Sequence, residues 1–365
     1  MKSFYRKSPS PDERRAFLKQ SALGAVALSI PNFEFPHFLK EVPMGIVVHS
    51  YANRWNSKHE SKKYPGFYDA IQLLEHCHQL GGGGVQVGVH GWTAEFTQKV
   101  RDHREKLGLY LEGTLRLPKE ASEIAAFEQE VKNAKEAGIE VLRTVCLSGR
   151  RYENFSTLEE FKQFREQSVK SLQLAEAVVR RHKMKLAVEN HKDWRADELV
   201  ALLKDIDSEW IGVTLDFGNS ISLLENPMEV VRTLAPYVYS THVKDMGLEE
   251  YEHGFLLSEV PLGEGILDLP AIFDLCRKYN PNIRFNLEMI TRDPLEIPCL
   301  QDHYWATFED LPGSELARTL KMVRQHKYPD ALPRVKQLLA EERLAVENEN
   351  ILHSLNYSRQ NLEKS

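Results

Sequence analysis

From residue 44 onward, short apolar runs rich in β-branched residues alternate with stretches whose apolar positions recur three and four apart. The runs are 44–50, 84–90, 108–115, 141–147, 185–191, 211–217, 238–244 and 283–290. Their length and composition predict strands. Between them, sets such as Ile124, Phe127, Val131 and Ala134, or Val169, Leu172, Ala175 and Val179, mark the apolar faces of helices, and several of these stretches end in Gly. Repeated βα units build either an open doubly wound sheet or a closed barrel. The first strand lacks the G-x-G-x-x-G turn of a dinucleotide site, and the run Gly81–Gly84 precedes a strand instead of following one. The pattern therefore predicts an α/β fold, a (β/α)8 TIM barrel over residues 41–290, with chemistry at the C-terminal ends of its strands.

The two ends of the chain do not repeat the unit. Residues 1–40 carry Arg14 and Arg15 ahead of a short Ala-rich stretch, Ala22 to Ile30. This resembles a bacterial twin-arginine export signal, which implies an exported, periplasmic protein; the alternative is an ordinary amphipathic first helix in a cytoplasmic one. The stretch is far short of the roughly 20 residues that span a bilayer, so no stable membrane span is expected in the mature protein. Residues 291–365 are expected to hold a loop covering the barrel mouth, Asp293 to Pro312, and then a C-terminal helical extension over 314–327 and 333–356. Tyr304 and Trp305 in the loop, and Trp92, are candidates for an apolar wall against a sugar. In the last helix Leu338, Ala345 and Leu352 lie seven apart, which predicts packing on its own barrel.

Composition removes some functions. With Lys+Arg 47 against Asp+Glu 53 the chain is mildly acidic, net −6. It has no long basic run, so it lacks the phosphate-neutralising charge of a nucleic-acid binder, and no nucleic-acid partner is expected. Its four cysteines are far apart and form no Cys-x-x-Cys, so neither a disulfide framework nor a zinc knuckle is indicated.

Chemistry gathers at four consecutive strand ends. Strand five ends in Glu189-Asn190-His191, strand six carries Asp216, strand seven His242, and strand eight Glu288. Alternation sets Glu189 in phase with Ala187 and Asp216 with Thr214, while Val188 and Leu215 point to the helices. All four ligand-type side chains can then face the mouth. Three carboxylates and an imidazole crowded there, without cations of their own at these positions, would repel one another unless a divalent ion neutralised them. Oxygen-rich ligation with one His suits Mn²⁺ or Mg²⁺, with Co²⁺ or Zn²⁺ as alternatives. His49, His90, Glu112, Lys244 and Arg292 are further candidates for the mouth.

These strand ends, with Gly263-Glu264-Gly265-Ile266-Leu267-Asp268 before strand eight, resemble the sugar isomerase/epimerase branch of the xylose isomerase-like barrels. That branch includes D-tagatose 3-epimerase, hydroxypyruvate isomerase and inosose dehydratase. The resemblance covers roughly residues 44 to 290. It implies that Glu189, Asp216, His242 and Glu288 bind one divalent metal, that Glu189 and Glu288 are also the acid/base pair, and that His191 contacts the substrate, with His90, Glu112, Lys244 and Arg292 as additional contacts. The implied function is a metal-dependent isomerase or epimerase that moves the proton alpha to the carbonyl of a small sugar or keto-sugar through an enediolate. One position departs: many epimerases carry His three residues after the strand-six Asp, where this chain has Asn219.

Three other functions share parts of this pattern. The same site could dehydrate a keto-sugar or release the aglycone of a 3-keto-glycoside by β-elimination. An endonuclease IV-like DNA-repair enzyme needs a three-metal cluster with extra histidines; Asn219 occupies one such position, and no Asp-x-His follows His242. A carbohydrate binder without turnover would not need an intact acid/base pair.

Overall fold

The apolar runs do produce strands, buried along nearly their whole length, and eight of them close. The computed structural model describes residues 44–362; the predicted export segment lies outside them. The barrel strands are β1 (Gly45–Val47), β2 (Gly84–Gly88), β3 (Tyr110–Thr114), β4 (Val141–Thr144), β5 (Lys185–Glu189), β6 (Ile211–Asp216) and β7 (Val238–Val243). A short eighth, Asn286–Leu287, pairs in parallel with both β7 and β1. The crossovers carry α1 (Ala70–Gln79), α2 (Ala94–Leu107), α3 (Ile124–Glu136), α4 (Arg151–Asn154), α5 (Leu158–His182), α6 (Ala196–Ile206), α7 (Pro227–Leu234) and α8 (Leu269–Tyr279). Their starts follow capping chemistry: Asp69, Thr93, Thr157, Asn226 and Asp268 each accept a backbone N–H of the first turn. Val188, Leu215, Leu287 and the buried faces of the helices share the main core.

Between β7 and the eighth strand the chain makes an unpredicted hairpin, β8 (Asp245–Tyr251) and β9 (Gly254–Val260); the eighth strand is accordingly β10. Its tip turns at Gly254 with φ near 148°, where a Cβ would meet the Ile297 carbonyl. The hairpin is anchored by the glycine motif noted in the sequence. The Asp245 carboxylate accepts N–H groups of Met246, Gly263, Gly265 and Leu267, and a Cβ on Gly265 would collide with it.

The segment after β10 also departs from expectation. In place of an irregular loop, β11 (Leu295–Ile297) adds to β9, and α9 (Asp302–Trp305) follows. Tyr304 is fully buried and donates its hydroxyl to the Ser222 carbonyl at 2.8 Å, while Trp305 donates to Cys299 O at 2.9 Å. Both belong to a second core with Ile221, Leu248 and Phe255, so they are packing residues and not a wall of the mouth. Two helices end the described chain, α10 (Gly313–Gln325) and α11 (Ala340–Asn361). The buried stripe of α11 is Leu344, Ile351 and Leu355; Leu352 is exposed, one position off the heptad read from the sequence. Among the described residues no helix is long and apolar enough to cross a membrane.

Candidate metal centre

The barrel interior is built in two tiers, because residues two apart on a strand share a face. The inner tier is Gln86, Glu112, Ser240 and Asn286. Glu112 Oε2 accepts from Gln86 Nε2 at 3.0 Å, Asn286 Nδ2 at 3.0 Å and Ser240 Oγ at 2.5 Å. Glu112 is thus enclosed below the mouth and not exposed to a substrate, which corrects its assignment as a sugar contact. Burial pushes its carboxyl above the usual range against the pull of Ser240 and Gln86.

Two positions farther along β7 and β10 come His242 and Glu288, joined by Glu189 and Asp216 from the ends of β5 and β6. One ligand atom of each lies within 4.8 Å of those of the others, and all four residues are buried. Gln86 connects the tiers. Its amide nitrogen faces Glu112 and Ser240, so its oxygen receives His242 Nε2–H at 2.7 Å. That hydrogen bond assigns the Nε2 proton, so Nδ1 is the nitrogen that titrates and that can offer its lone pair to a cation. Nδ1 lies 3.3 Å from Glu189 Oε2, 3.4 Å from Glu288 Oε1 and 3.9 Å from Asp216 Oδ2. His242 Nδ1 is buried without a hydrogen bond, and Asp216 Oδ2 is met by the Lys244 ammonium at 2.7 Å. Facing three carboxylates, Nδ1 takes up a cation, either a proton or a metal ion, and the donor set fits a divalent ion. In its absence burial opposes charging the imidazole, but Glu288 and Glu189 outweigh it and lift His242 to about 9.

The sequence argument that these carboxylates lack cations of their own does not hold. Arg143, in the middle of β4, grips Glu189 Oε2 through Nε at 2.6 Å and through Nη2. Lys244 Nζ sits 2.7 Å from both Asp216 Oδ2 and Glu288 Oε2. Burial raises both glutamates, yet Arg143 and His242 hold Glu189, and His242 and Lys244 hold Glu288, well below the usual carboxylate range. Asp216 moves upward, burial prevailing over Lys244. The case for a metal rests on the oriented lone pair of His242, not on unrelieved repulsion.

Lys244 also approaches Glu259 Oε1 at 3.8 Å, and Glu259 is held bidentately by Arg292 at 3.1 and 2.6 Å. His49 Nδ1 meets Glu288 Oε1 at 3.0 Å and keeps a half-exposed ring. His191 lies against the Gly149 carbonyl at 3.2 Å; burial, then Lys192, pulls it down to about 3, so it is neutral. His90 is not part of the centre: its ring is solvent-exposed and pairs with Glu130 on α3 at 2.5 Å. The residues missed in the sequence are Gln86, Arg143, Lys192 and Glu259. The first two are polar interruptions in otherwise apolar strands, a signal that was present; Glu259 was hidden with its hairpin.

A family model, the xylose isomerase-like TIM barrel, matches residues 68–326. The chain belongs to that family. The 3-oxo-isoapionate decarboxylase of Pectobacterium atrosepticum is 25% identical over 247 residues, 66% of this chain and 83% of that protein. D-psicose 3-epimerase from Clostridium cellulolyticum H10, solved with D-tagatose, superposes with a TM-score of 0.53 at 14% identity, covering 77% of this chain and 96% of that one. A family protein from Mycobacterium smegmatis, solved with magnesium, gives 0.52 at 16% identity, with coverages of 76% and 97%. At these identities the solved structures establish the fold.

Proposed function

We propose that this protein is a divalent-metal-dependent enzyme of the isomerase or epimerase type, which removes and returns a proton on the carbon beside the keto group of a sugar-like substrate. The observation that carries the reading is the Nδ1 lone pair of His242, aimed by Gln86 at three strand-end carboxylates. The four residues would hold the ion as ligands. Bound there, it supplies Lewis-acid stabilisation of the negative charge that develops on oxygen when the neighbouring carbon loses its proton.

The chain's own groups divide the proton work unequally. Both Glu189 and Glu288 are kept ionised by the cations around them and so can accept a proton. Glu288 touches His49, whose half-exposed imidazole offers a path to solvent. Glu189 is enclosed by Arg143 and by Asn219, which donates to its Oε1 at 3.1 Å. Exchange with solvent therefore runs through Glu288, and Glu189 serves the opposite face of the carbon: one carboxylate takes the carbon's proton while the other, already protonated, delivers its own to the other face.

A second reading is favoured by the similarity to the decarboxylase. Loss of carbon dioxide from a 3-oxo acid leaves the same electron-rich carbon, which needs a single protonation and no second base. Incubation of the Mn²⁺-loaded protein in D₂O with ketoses and 3-oxo sugar acids separates the two. Isomerisation gives a product of equal carbon number carrying solvent deuterium; decarboxylation releases carbon dioxide; turnover of a ketose without solvent label contradicts the proton-transfer mechanism.

A further inference from the structure

Four cations surround the centre, and three of them are paired. Arg143 has Glu189, Lys244 has Asp216 and Glu288, and Arg292 has Glu259. Lys192, in the turn after β5, is different. It is 4% exposed, and among the described residues no carboxylate lies within 4.0 Å of its ammonium. Its Nζ donates to Asn219 Oδ1 at 2.5 Å, and Asn219 in turn donates to Glu189. A buried ammonium held by a neutral amide is poorly compensated, since an amide oxygen carries only a partial charge. The main chain fixes it there, because the Lys192 carbonyl receives Arg151 N–H at 2.8 Å.

The position of this charge matters as much as its lack of a partner. Asn219 links Lys192 to Glu189, a ligand-type carboxylate of the centre. The acids nearest the metal ligands are already committed to Arg143, Lys244 and Arg292. A divalent ion added to the centre makes the surroundings more positive, leaving Lys192 with still less compensation from the protein.

We propose that the substrate carries a carboxylate, and that Lys192 is the specificity residue that receives it while the keto end meets the metal centre. The inference rests on the reading of this centre as a keto-sugar site and adds the substrate class, a polyhydroxy keto acid. A single ammonium without a surrounding set of backbone N–H donors suits a monoanionic carboxylate better than a phosphate dianion.

Two compounds differing at one carbon test this. 2-Keto-D-gluconate has a carboxylate where D-fructose has a hydroxymethyl group. Calorimetric titration of the full-length Mn²⁺-loaded protein should show the acid bound at least tenfold more tightly than D-fructose, and more tightly than D-fructose 6-phosphate. Lys192→Met should reduce the preference over D-fructose to less than threefold with unchanged manganese content, and Lys192→Arg should restore most of it. If Lys192→Met does not fold, Lys192→Gln, which keeps a donor for Asn219, replaces it. Equal or weaker binding of the acid by the wild type overturns the proposal, as does tighter binding of the phosphate. A preference that survives loss of the ammonium also overturns it, because chelation by the metal then explains it alone. Failure of the proton-transfer reading looks different: no solvent deuterium in any product, with the acid preference and its dependence on Lys192 intact.

Discussion

The two tiers of the barrel interior are built from the same strands, two residues apart, yet they solve opposite problems. In the inner tier the protein supplies its own donors: one oxygen of Glu112 gathers Gln86, Ser240 and Asn286, while the other stays buried without a partner. In the outer tier acceptors converge: His242 Nδ1 is left without a hydrogen bond, and Asp216 Oδ2 and Glu288 Oε2 share the single ammonium of Lys244. What separates the tiers is the kind of atom: an imidazole nitrogen set among three carboxylates at the mouth is where a cation completes the structure, whereas a single carboxyl oxygen enclosed below it is not. The difference teaches that the inner tier orients and the outer tier binds, with Gln86 as the joint between them.

The sharpest way to break this contrast is to swap its consequences. Asp216→Asn keeps the oxygen that accepts the Gly218 and Asn219 N–H groups but removes a ligand charge. Turnover should fall by roughly 10²–10³-fold or more, with a smaller loss of stability than Glu112→Ala, because Lys244 keeps Glu288 as a partner. Glu112→Ala should do the reverse in kind, costing about 2–4 kcal/mol of stability in denaturant titration, because three buried donors lose their acceptor. Equal loss of stability in both variants would erase the distinction.

Smaller effects sharpen the joint and the periphery. Gln86→Met should weaken metal affinity by about 10–100-fold, since His242 loses the partner that sets its tautomer; competition with a metal-sensitive dye reads this directly. The smallest change concerns Glu347 of α11. It accepts from Asn53 N at 2.7 Å and Nδ2 at 2.9 Å, and burial raises its carboxyl to about 7. A carboxyl raised in the folded state contributes stability that is complete below its unfolded value and is lost as pH rises through the folded one. Wild-type stability should therefore decline between about pH 4.5 and 7 from this group. Glu347→Gln should be more stable than wild type above pH 7 by about 1–3 kcal/mol, with the advantage vanishing near pH 4; an advantage independent of pH would contradict the assignment.

Strand ends were the legible part of the molecule. Glu189, Asp216, His242 and Glu288 stand out because a charged side chain ending an apolar, β-branched run has few destinations other than a barrel mouth. The hairpin β8–β9 was not legible: Leu248 to Leu257 alternates weakly, and its turn, Glu252-His253-Gly254, carries one turn-forming residue. With it went Glu259. Glu112 lies on a strand that the sequence located correctly, and His90 lies just past the end of another, but their partners, the inner-tier donors and Glu130, are distant in sequence. No local pattern says that one ring turns outward and the other carboxylate is enclosed. Tyr304 and Trp305 were misplaced for a related reason, since a core formed by a second sheet cannot be anticipated before that sheet is.

The central claim is that the outer tier is a divalent metal centre completed by His242 Nδ1. Its most direct measurement is the manganese and magnesium stoichiometry of the full-length protein after chelation and reloading, for wild type, Asp216→Ala and His242→Ala. The account predicts one ion per wild-type chain and a loss of bound ion in both variants, with far-ultraviolet circular dichroism unchanged. No ion bound by the wild type, or full occupancy in both variants, would contradict it.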